Sequence, residues 1–167
     1  MSKRFVGEDF VIPLISSEIK KVGVFVNATS SYITATINKY KLDLIQLHGD
    51  ESPEYCATFN HSIPVIKAFG MDAEFDLKIL ESYKKCCDYY LFDTKTKAYG
   101  GSGKQFDWKI LEKYTDHKPF FLSGGIGLKE IEKLKIEKLD CYAVDVNSCF
   151  ETEPGLKDIR QLKKIRK

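Results

Sequence analysis

Phe120-Phe-Leu-Ser-Gly-Gly125 is a short apolar run closed by a hydroxyl and two glycines, a few residues ahead of a helix-period segment. The same design recurs along the chain, at Val22-Gly-Val-Phe-Val-Asn27, Leu44-Ile-Gln-Leu-His-Gly49, Pro64-Val-Ile-Lys-Ala-Phe69, Tyr89-Tyr-Leu-Phe-Asp-Thr94 and Tyr142-Ala-Val-Asp-Val-Asn-Ser148. Runs this short, rich in β-branched and aromatic residues, read as strands buried on both faces of a parallel sheet. Between them lie helical signals. Ser52 is placed to cap a helix with Pro53 at its first position. Asp107 caps Trp108–Tyr114, and Leu128, Ile131 and Leu134 line one side of another helix. Gly7–Lys21 reads as a helix as well, with Phe10, Leu14 and Ile15 on one side.

Alternating strands and helices imply βα units, which build either an open doubly wound sheet or a closed barrel. The polar residues decide between them. His48, Asp93, Ser123-Gly124-Gly125 and Asp145-Val-Asn147-Ser148 all fall at the C-terminal ends of different strands. Chemistry spread round the rim of many strands is the habit of the barrel, whereas an open sheet concentrates it at one switch point. The expected architecture is therefore α/β, a TIM (βα)8-type barrel forming a single domain over residues 1–167. Only about six of its eight strands are legible. Closure requires two neighbours for every strand, so the strands at Val22 and Tyr142 are expected to have unpaired edges.

Composition narrows the partners. Lys and Arg total 26 against 24 Asp and Glu, a formal charge of +2, which provides no field suited to nucleic acid or an anionic membrane. The basic run Arg160, Lys163, Lys164, Arg166 and Lys167 reads as the solvated face of a last helix. No apolar stretch approaches the roughly 20 residues needed to span a bilayer. Lys3, Arg4, Glu8 and Asp9 interrupt any signal-peptide core, and the cytoplasm is the expected compartment. Cys56, Cys86, Cys87, Cys141 and Cys149 lack paired C-x-x-C spacing, so neither a disulfide framework nor a zinc site is indicated.

Ser123-Gly124-Gly125 sits where backbone N–H groups, bare of side chains, can approach a phosphate. Asn147-Ser148 ends the next strand, and adjacent loops of this kind are where barrels commonly hold phosphate. Gly100-Gly-Ser-Gly103 serves equally as a plain flexible turn. Asp93 is either a general acid/base or a helix-capping carboxylate. His48 is either a substrate contact or a rim histidine bonded to a neighbouring loop. Arg4 has the geometry to clamp a carboxylate, or is simply exposed near a terminus. Trp108 and the phenylalanines read as packing.

Taken in order, these pieces resemble the phosphoribosylanthranilate isomerase family. The residues that carry the resemblance are Ser2-Lys-Arg-Phe-Val6, Val22–Asn27, Ile45-Gln-Leu-His-Gly-Asp-Glu51, Phe92-Asp-Thr-Lys95, Gly100–Lys104 with Phe106-Asp-Trp108, Phe121–Ile126, Val144–Ser148, Glu151 and Pro154-Gly-x-Lys-Asp158. The resemblance implies an Amadori rearrangement of N-(5′-phosphoribosyl)anthranilate in tryptophan biosynthesis, without metal or organic cofactor. It makes Asp93 the general acid, and Arg4 the ligand of the anthranilate carboxylate. Gln46 and His48 line the rim, Asp145 lies beside the ribose hydroxyls, and Gly124, Gly125, Asn147 and Ser148 hold the phosphate. The implied partner is a small phosphorylated substrate, with dimer formation or self-association expected through the open barrel edges.

Two departures qualify the match. The family's base is a cysteine at the end of the first strand, in a Lys-Ile-Cys-Gly stretch, and none of the five cysteines here sits in one. The first strand, first helix and second strand are accordingly expected to be missing, and the chain alone is expected to be inactive. Cys149 replaces a glycine that many relatives carry after Asn-Ser, which costs on the order of 1 kcal/mol if the backbone there needs a positive φ. The alternatives are a non-catalytic barrel fragment that binds a phosphorylated ligand, and another phosphosugar isomerase on the same scaffold.

Overall fold

A computed structural model describes residues 4–7, 9–95, 106–137 and 139–165. The glycine-rich stretch Gly100–Gly103 lies outside them. Six parallel strands, β1 (Val22–Phe25), β2 (Leu44–Leu47), β3 (Val65–Met71), β4 (Tyr89–Thr94), β5 (Phe120–Leu122) and β6 (Ala143–Val144), form one sheet in strict chain order, β1-β2-β3-β4-β5-β6. No strand inserts between earlier ones, so the sheet has no point at which its order reverses, as a barrel wall requires. Every connection returns across one side. α1 (Ser30–Tyr40) follows β1, α2 (Pro53–Ala57) follows β2, and α3 (Leu80–Tyr83) with its leading 3₁₀ turn follows β3. A 3₁₀ helix at Trp108–Lys113 follows β4, and α4 (Leu128–Glu137) follows β5. Beyond β6 come a 3₁₀ turn at Ser148–Phe150, the hairpin β7 (Glu151–Glu153) with β8 (Leu156–Lys157), and α5 (Ile159–Ile165).

The caps sit where local chemistry puts them. Ser52 accepts from the Tyr55 amide at 3.2 Å with Pro53 opening α2, and Asp107 accepts from Lys109 at 3.1 Å. Thr29, which the sequence reading passed over, caps α1 by accepting from Tyr32. β1, β2, β5 and β6 stop short of the C-terminal ends of their apolar runs, where polar residues or glycines follow, whereas β4 ends with its run and β3 extends two residues beyond it.

The predicted helix over Gly7–Lys21 is a correction: its described residues form turns and extended chain. Pro13 removes an amide donor in mid-segment, and a helix of this length is marginal unless one face is buried. No burial is available here, for Phe10, Val11, Leu14 and Ile19 all remain exposed.

Strand alternation sorts the side chains into two layers. The helix-covered face holds the main core, including Phe25, Ile45, Leu47, Val65, Phe69, Met71, Tyr90, Phe92, Phe120 and Leu122. Its centre is aromatic, with Phe92 and Phe120 ring centroids 5.2 Å apart and Phe69 edge-on to Tyr83 at 5.1 Å. The lone tryptophan, Trp108, is buried in this layer with the Lys133 ammonium 4.9 Å above its ring. The opposite face carries a small cluster of Ile66, Ala68 and Leu91, flanked by Leu44, Tyr89 and Phe121. Register puts Val22 and Val24 on that same face beside Leu44 and Gln46, yet they are 40% and 59% exposed. The inner wall of the sheet is thus partly open at the β1 edge.

Candidate functional site

Three polar residues sit one step beyond the ends of β2, β5 and β6, while Gln46 and Asp93 are still inside β2 and β4. His48 N donates to Phe25 O at 2.8 Å, Ser123 N to Phe92 O at 2.8 Å and Asp145 N to Leu122 O at 2.8 Å. Gln46, His48, Asp93, Ser123 and Asp145 therefore share one edge of the sheet. The Gln46 amide nitrogen lies 2.6 Å from His48 Nδ1, a contact that the imidazole tautomer protonated at Nε2 satisfies. That nitrogen faces Asp93 Oδ2 at 3.3 Å, and Asp93 Oδ1 accepts from the Thr94 amide at 2.8 Å. Gln46 and His48 come from β2 and Asp93 from β4, so the pairing spans the intervening β3.

Asp93 also abuts the glycine turn. Gly124 and Gly125 both have positive φ, +89° and +68°. A Cβ on Gly124 would lie 2.6 Å from the Thr94 amide nitrogen and 2.9 Å from Asp93 Oδ1, so only glycine lets the turn close against the carboxylate. The turn leads into α4, where the Gly127 amide donates to Glu130 at 2.9 Å. The Asn147–Ser148 loop is its neighbour, since a Cβ on Gly127 would come within 3.6 Å of Cys149 Cβ. Cys149 occupies the right-handed turn Ser148–Phe150 and is not among the positive-φ residues, so its replacement of glycine carries no backbone strain.

The polar line continues past the glycines. Ser123 Oγ donates to Asp145 Oδ2 at 3.1 Å, and Asn147 Nδ2 donates to Asp145 Oδ1 at 2.9 Å. Burial, reinforced by the Asp93 charge, makes Asp145 hold its proton above the ordinary carboxyl range, against the opposing pull of Ser123, His48 and Lys157. Lys157 donates to Asn147 Oδ1 at 2.8 Å, to the Val146 carbonyl at 2.8 Å and to Glu151 at 3.0 Å. Arg4 reaches the same Glu151 carboxylate through Nε at 3.0 Å. Gln46, His48 and Asp93 with Gly124, and Ser123, Asp145 and Asn147, thus line the same C-terminal edge, with Gly125 and Ser148 next in the two loops and Arg4 joined to it through Glu151 and Lys157.

Apart from Cys149, the cysteines are elsewhere. Cys56, Cys86 and Cys87 are buried in the helix-covered layer, where burial pushes the Cys56 and Cys87 thiols up to about 12. Cys141 is half-buried, and burial raises its thiol as well. Among the described residues no group of three or more His, Cys, Asp and Glu side chains is arranged to hold a metal ion. No helix among them is long and apolar enough to cross a membrane.

Two pairs of charged residues escaped the sequence reading as site components: Lys67 with Glu51, and Lys157 with Glu151. A lysine inside the apolar run Pro64–Phe69 was the available signal, because a cation in a buried strand must find an anion.

An in-order parallel wall with an acid, a histidine and a glycine cradle along its C-terminal edge defines a TIM-barrel-type enzyme scaffold. Comparison with known proteins identifies which one. Residues 1–167 match the family described as N-(5′-phosphoribosyl)anthranilate (PRA) isomerase. The Parabacteroides distasonis N-(5′-phosphoribosyl)anthranilate isomerase is 49% identical over 146 residues, spanning 86% of this chain and 66% of the relative. The crystal structure of the Thermotoga maritima phosphoribosyl anthranilate isomerase superposes with a TM-score of 0.81 at 37% identity, covering 91% of this chain and 73% of that one. A further isomerase, solved in complex with reduced 1-(o-carboxyphenylamino)-1-deoxyribulose 5-phosphate, superposes with a TM-score of 0.76 at 32% identity, covering 90% and 71%. The chain belongs to the N-(5′-phosphoribosyl)anthranilate isomerase family, and it spans about two thirds to three quarters of the length of these relatives.

Proposed function

We propose that this chain carries the acid and anion-binding parts of an isomerase site for N-(5′-phosphoribosyl)anthranilate, in tryptophan biosynthesis. The reaction opens the furanose ring, then moves hydrogen from C2 to C1 through an enolamine, giving the amino-ketose. Asp93 serves as general acid, delivering a proton to the ring oxygen as the C1–O bond breaks. His48, whose Nε2 lies 3.3 Å from Asp93 Oδ2, orients the Asp93 carboxyl toward the substrate, and Gln46 orients the imidazole. Gly124, Gly125, Asn147 and Ser148 receive the phosphate, the flanking Lys157 adding positive charge. Asp145 meets the ribose hydroxyls and Arg4 the anthranilate carboxylate, with Glu151 holding the guanidinium in place. Holding a small substrate at both ends converts the proton transfers into positioned, effectively unimolecular steps.

The observation that carries this reading is the closeness of Asp93 to both His48 and the left-handed glycine turn: an acid within one substrate's reach of an anion cradle. The test is calorimetric titration of the 167-residue chain with the reduced carboxyphenylamino-deoxyribulose phosphate found in the related structure. Binding is expected, weakened at least tenfold by Asn147→Ala and by omission of the ligand's phosphate, and retained by Asp93→Asn. Absence of binding, or binding indifferent to the phosphate, would overturn it.

Removal of the C2 proton needs a base, and the buried positions of Cys56, Cys86 and Cys87 take those thiols out of consideration. Binding without turnover is therefore the second reading for this chain, and turnover of a different phosphosugar would indicate another isomerase. The open β1 and β6 edges favour self-association as the protein partnership.

A further inference from the structure

We propose that Lys67 and Glu51 are positioning residues, which set the Nε2–H form of His48 and its aim at Asp93 by clamping the peptides on either side of His48. The inference takes from the proposed function only that His48 and Asp93 work as a pair. Both side chains are almost completely buried, each 3% exposed, and their charged ends meet at 3.0 Å. The bonds they make are specific. Lys67 Nζ donates to the Gly49 carbonyl at 2.7 Å and approaches the Leu47 carbonyl at 3.4 Å, the two residues flanking His48 in the chain. A third bond goes to the Ala68 carbonyl at 3.1 Å. Glu51 accepts from the Gly49 amide at 2.9 Å and from the Asn27 amide at 2.9 Å, tying the end of β1 to the same knot.

A buried ion pair is poor evidence for stability alone, since apolar residues of similar volume commonly do as well. This pair instead binds both polar atoms of the Gly49 backbone and one of Leu47. The peptide planes that carry His48 therefore have one orientation, and the imidazole above them is aimed across β3 at Asp93. Gln46 is the remaining constraint on the ring, through Nδ1. The groups facing the imidazole are thus Gln46 from its own strand, Asp93 from β4 and, by its charge, Asp145 beyond β6. Lys67 and Glu51 touch none of the reacting atoms and act through the backbone.

The test uses long-range proton–nitrogen correlation spectra of histidine rings in the 167-residue chain. Only His48, His61 and His117 contribute, so two of the three signals serve as internal controls. In the parent at neutral pH, His48 is expected to show one tautomer, protonated at Nε2. In the charge-neutral double variant Lys67→Met with Glu51→Gln, that single-tautomer signature is expected to be lost to an averaged pair of nitrogen shifts, with His61 and His117 unmoved. If His61 and His117 show that the double variant has unfolded, Glu51→Gln alone gives the readout, with partial loss expected. An unchanged His48 signature in a folded variant overturns the proposal, and so does a parent without a single tautomer. Failure of the ligand titration would instead count against the proposed function and leave this readout intact.

Discussion

Glu151 accepts from Arg4, 147 positions earlier in the chain, and from Lys157, six positions later. The Arg4 hydrogen bonds, joined by Lys157, hold its carboxyl down to about 2, against 4.5 for an ordinary glutamate. An acid depressed in the folded state contributes its full stabilisation above the unfolded value, and loses it as pH falls toward the folded one. Unfolding midpoints in urea should therefore drop between pH 4.5 and about 2, and Glu151→Gln should flatten that limb while lowering stability at pH 7. An acid limb of unchanged slope in the variant would remove Glu151 from this role. Asp93 makes the opposite kind of prediction. In a catalytically active form of the enzyme, Asp93→Asn should lower turnover by two or more orders of magnitude. Stability should hardly change, because the side chain keeps its size; near-normal turnover would clear Asp93 of acid duty. Several of these residues were visible beforehand as strand-end polar groups. Their partnerships were not: His48 and Asp93 meet across β3, and only three-dimensional register brings them together.

Among the elements, the two turns at Gly124 and Gly155 make a natural pair. Both have φ near +90°, +89° and +88°, but a Cβ on Gly155 meets nothing within 4 Å while one on Gly124 runs into Asp93 and Thr94. Gly155→Ala should cost about 1 kcal/mol, the backbone term alone. Gly124→Ala should cost distinctly more and weaken phosphate-ligand binding as well, measured by urea unfolding and calorimetry. Equal costs would mean that the turn does not press on the acid. At this scale the sequence was informative where local chemistry decides, as at the Ser52 and Asp107 caps and in all six apolar runs. It failed where packing decides. The opening segment has helical spacing, but Pro13 and the lack of a covering surface leave it unwound, and Trp108–Lys113 tightens into a 3₁₀ helix.

For the whole molecule, the polar residues spread over the ends of several strands were enough to choose a barrel wall over a doubly wound sheet, and the consecutive strand order agrees. The incompleteness of closure has a solution consequence. Val22, Val24 and Tyr142 are exposed, along the inner face and the outer edges of the described sheet. Sedimentation of the 167-residue chain should be concentration-dependent, and Val24→Lys should shift it toward the monomer. A strictly monomeric parent would contradict this. The 167-residue chain should also show negligible isomerase turnover, because Cys56, Cys86 and Cys87 are buried and Cys149 sits in the turn proposed to hold phosphate. Growth of a tryptophan auxotroph on this chain alone would refute that expectation.

Trp108 offers a way to watch one joint of the molecule. As the sole indole, sealed beneath Lys133, it makes intrinsic fluorescence a report on the seam between the 3₁₀ helix and α4. Emission should shift to the red when that seam loosens, while the His48 ring-nitrogen signal follows the end of β2. Because one continuous core joins this seam to β1 and β2, the same emission gives a dye-free record of unfolding.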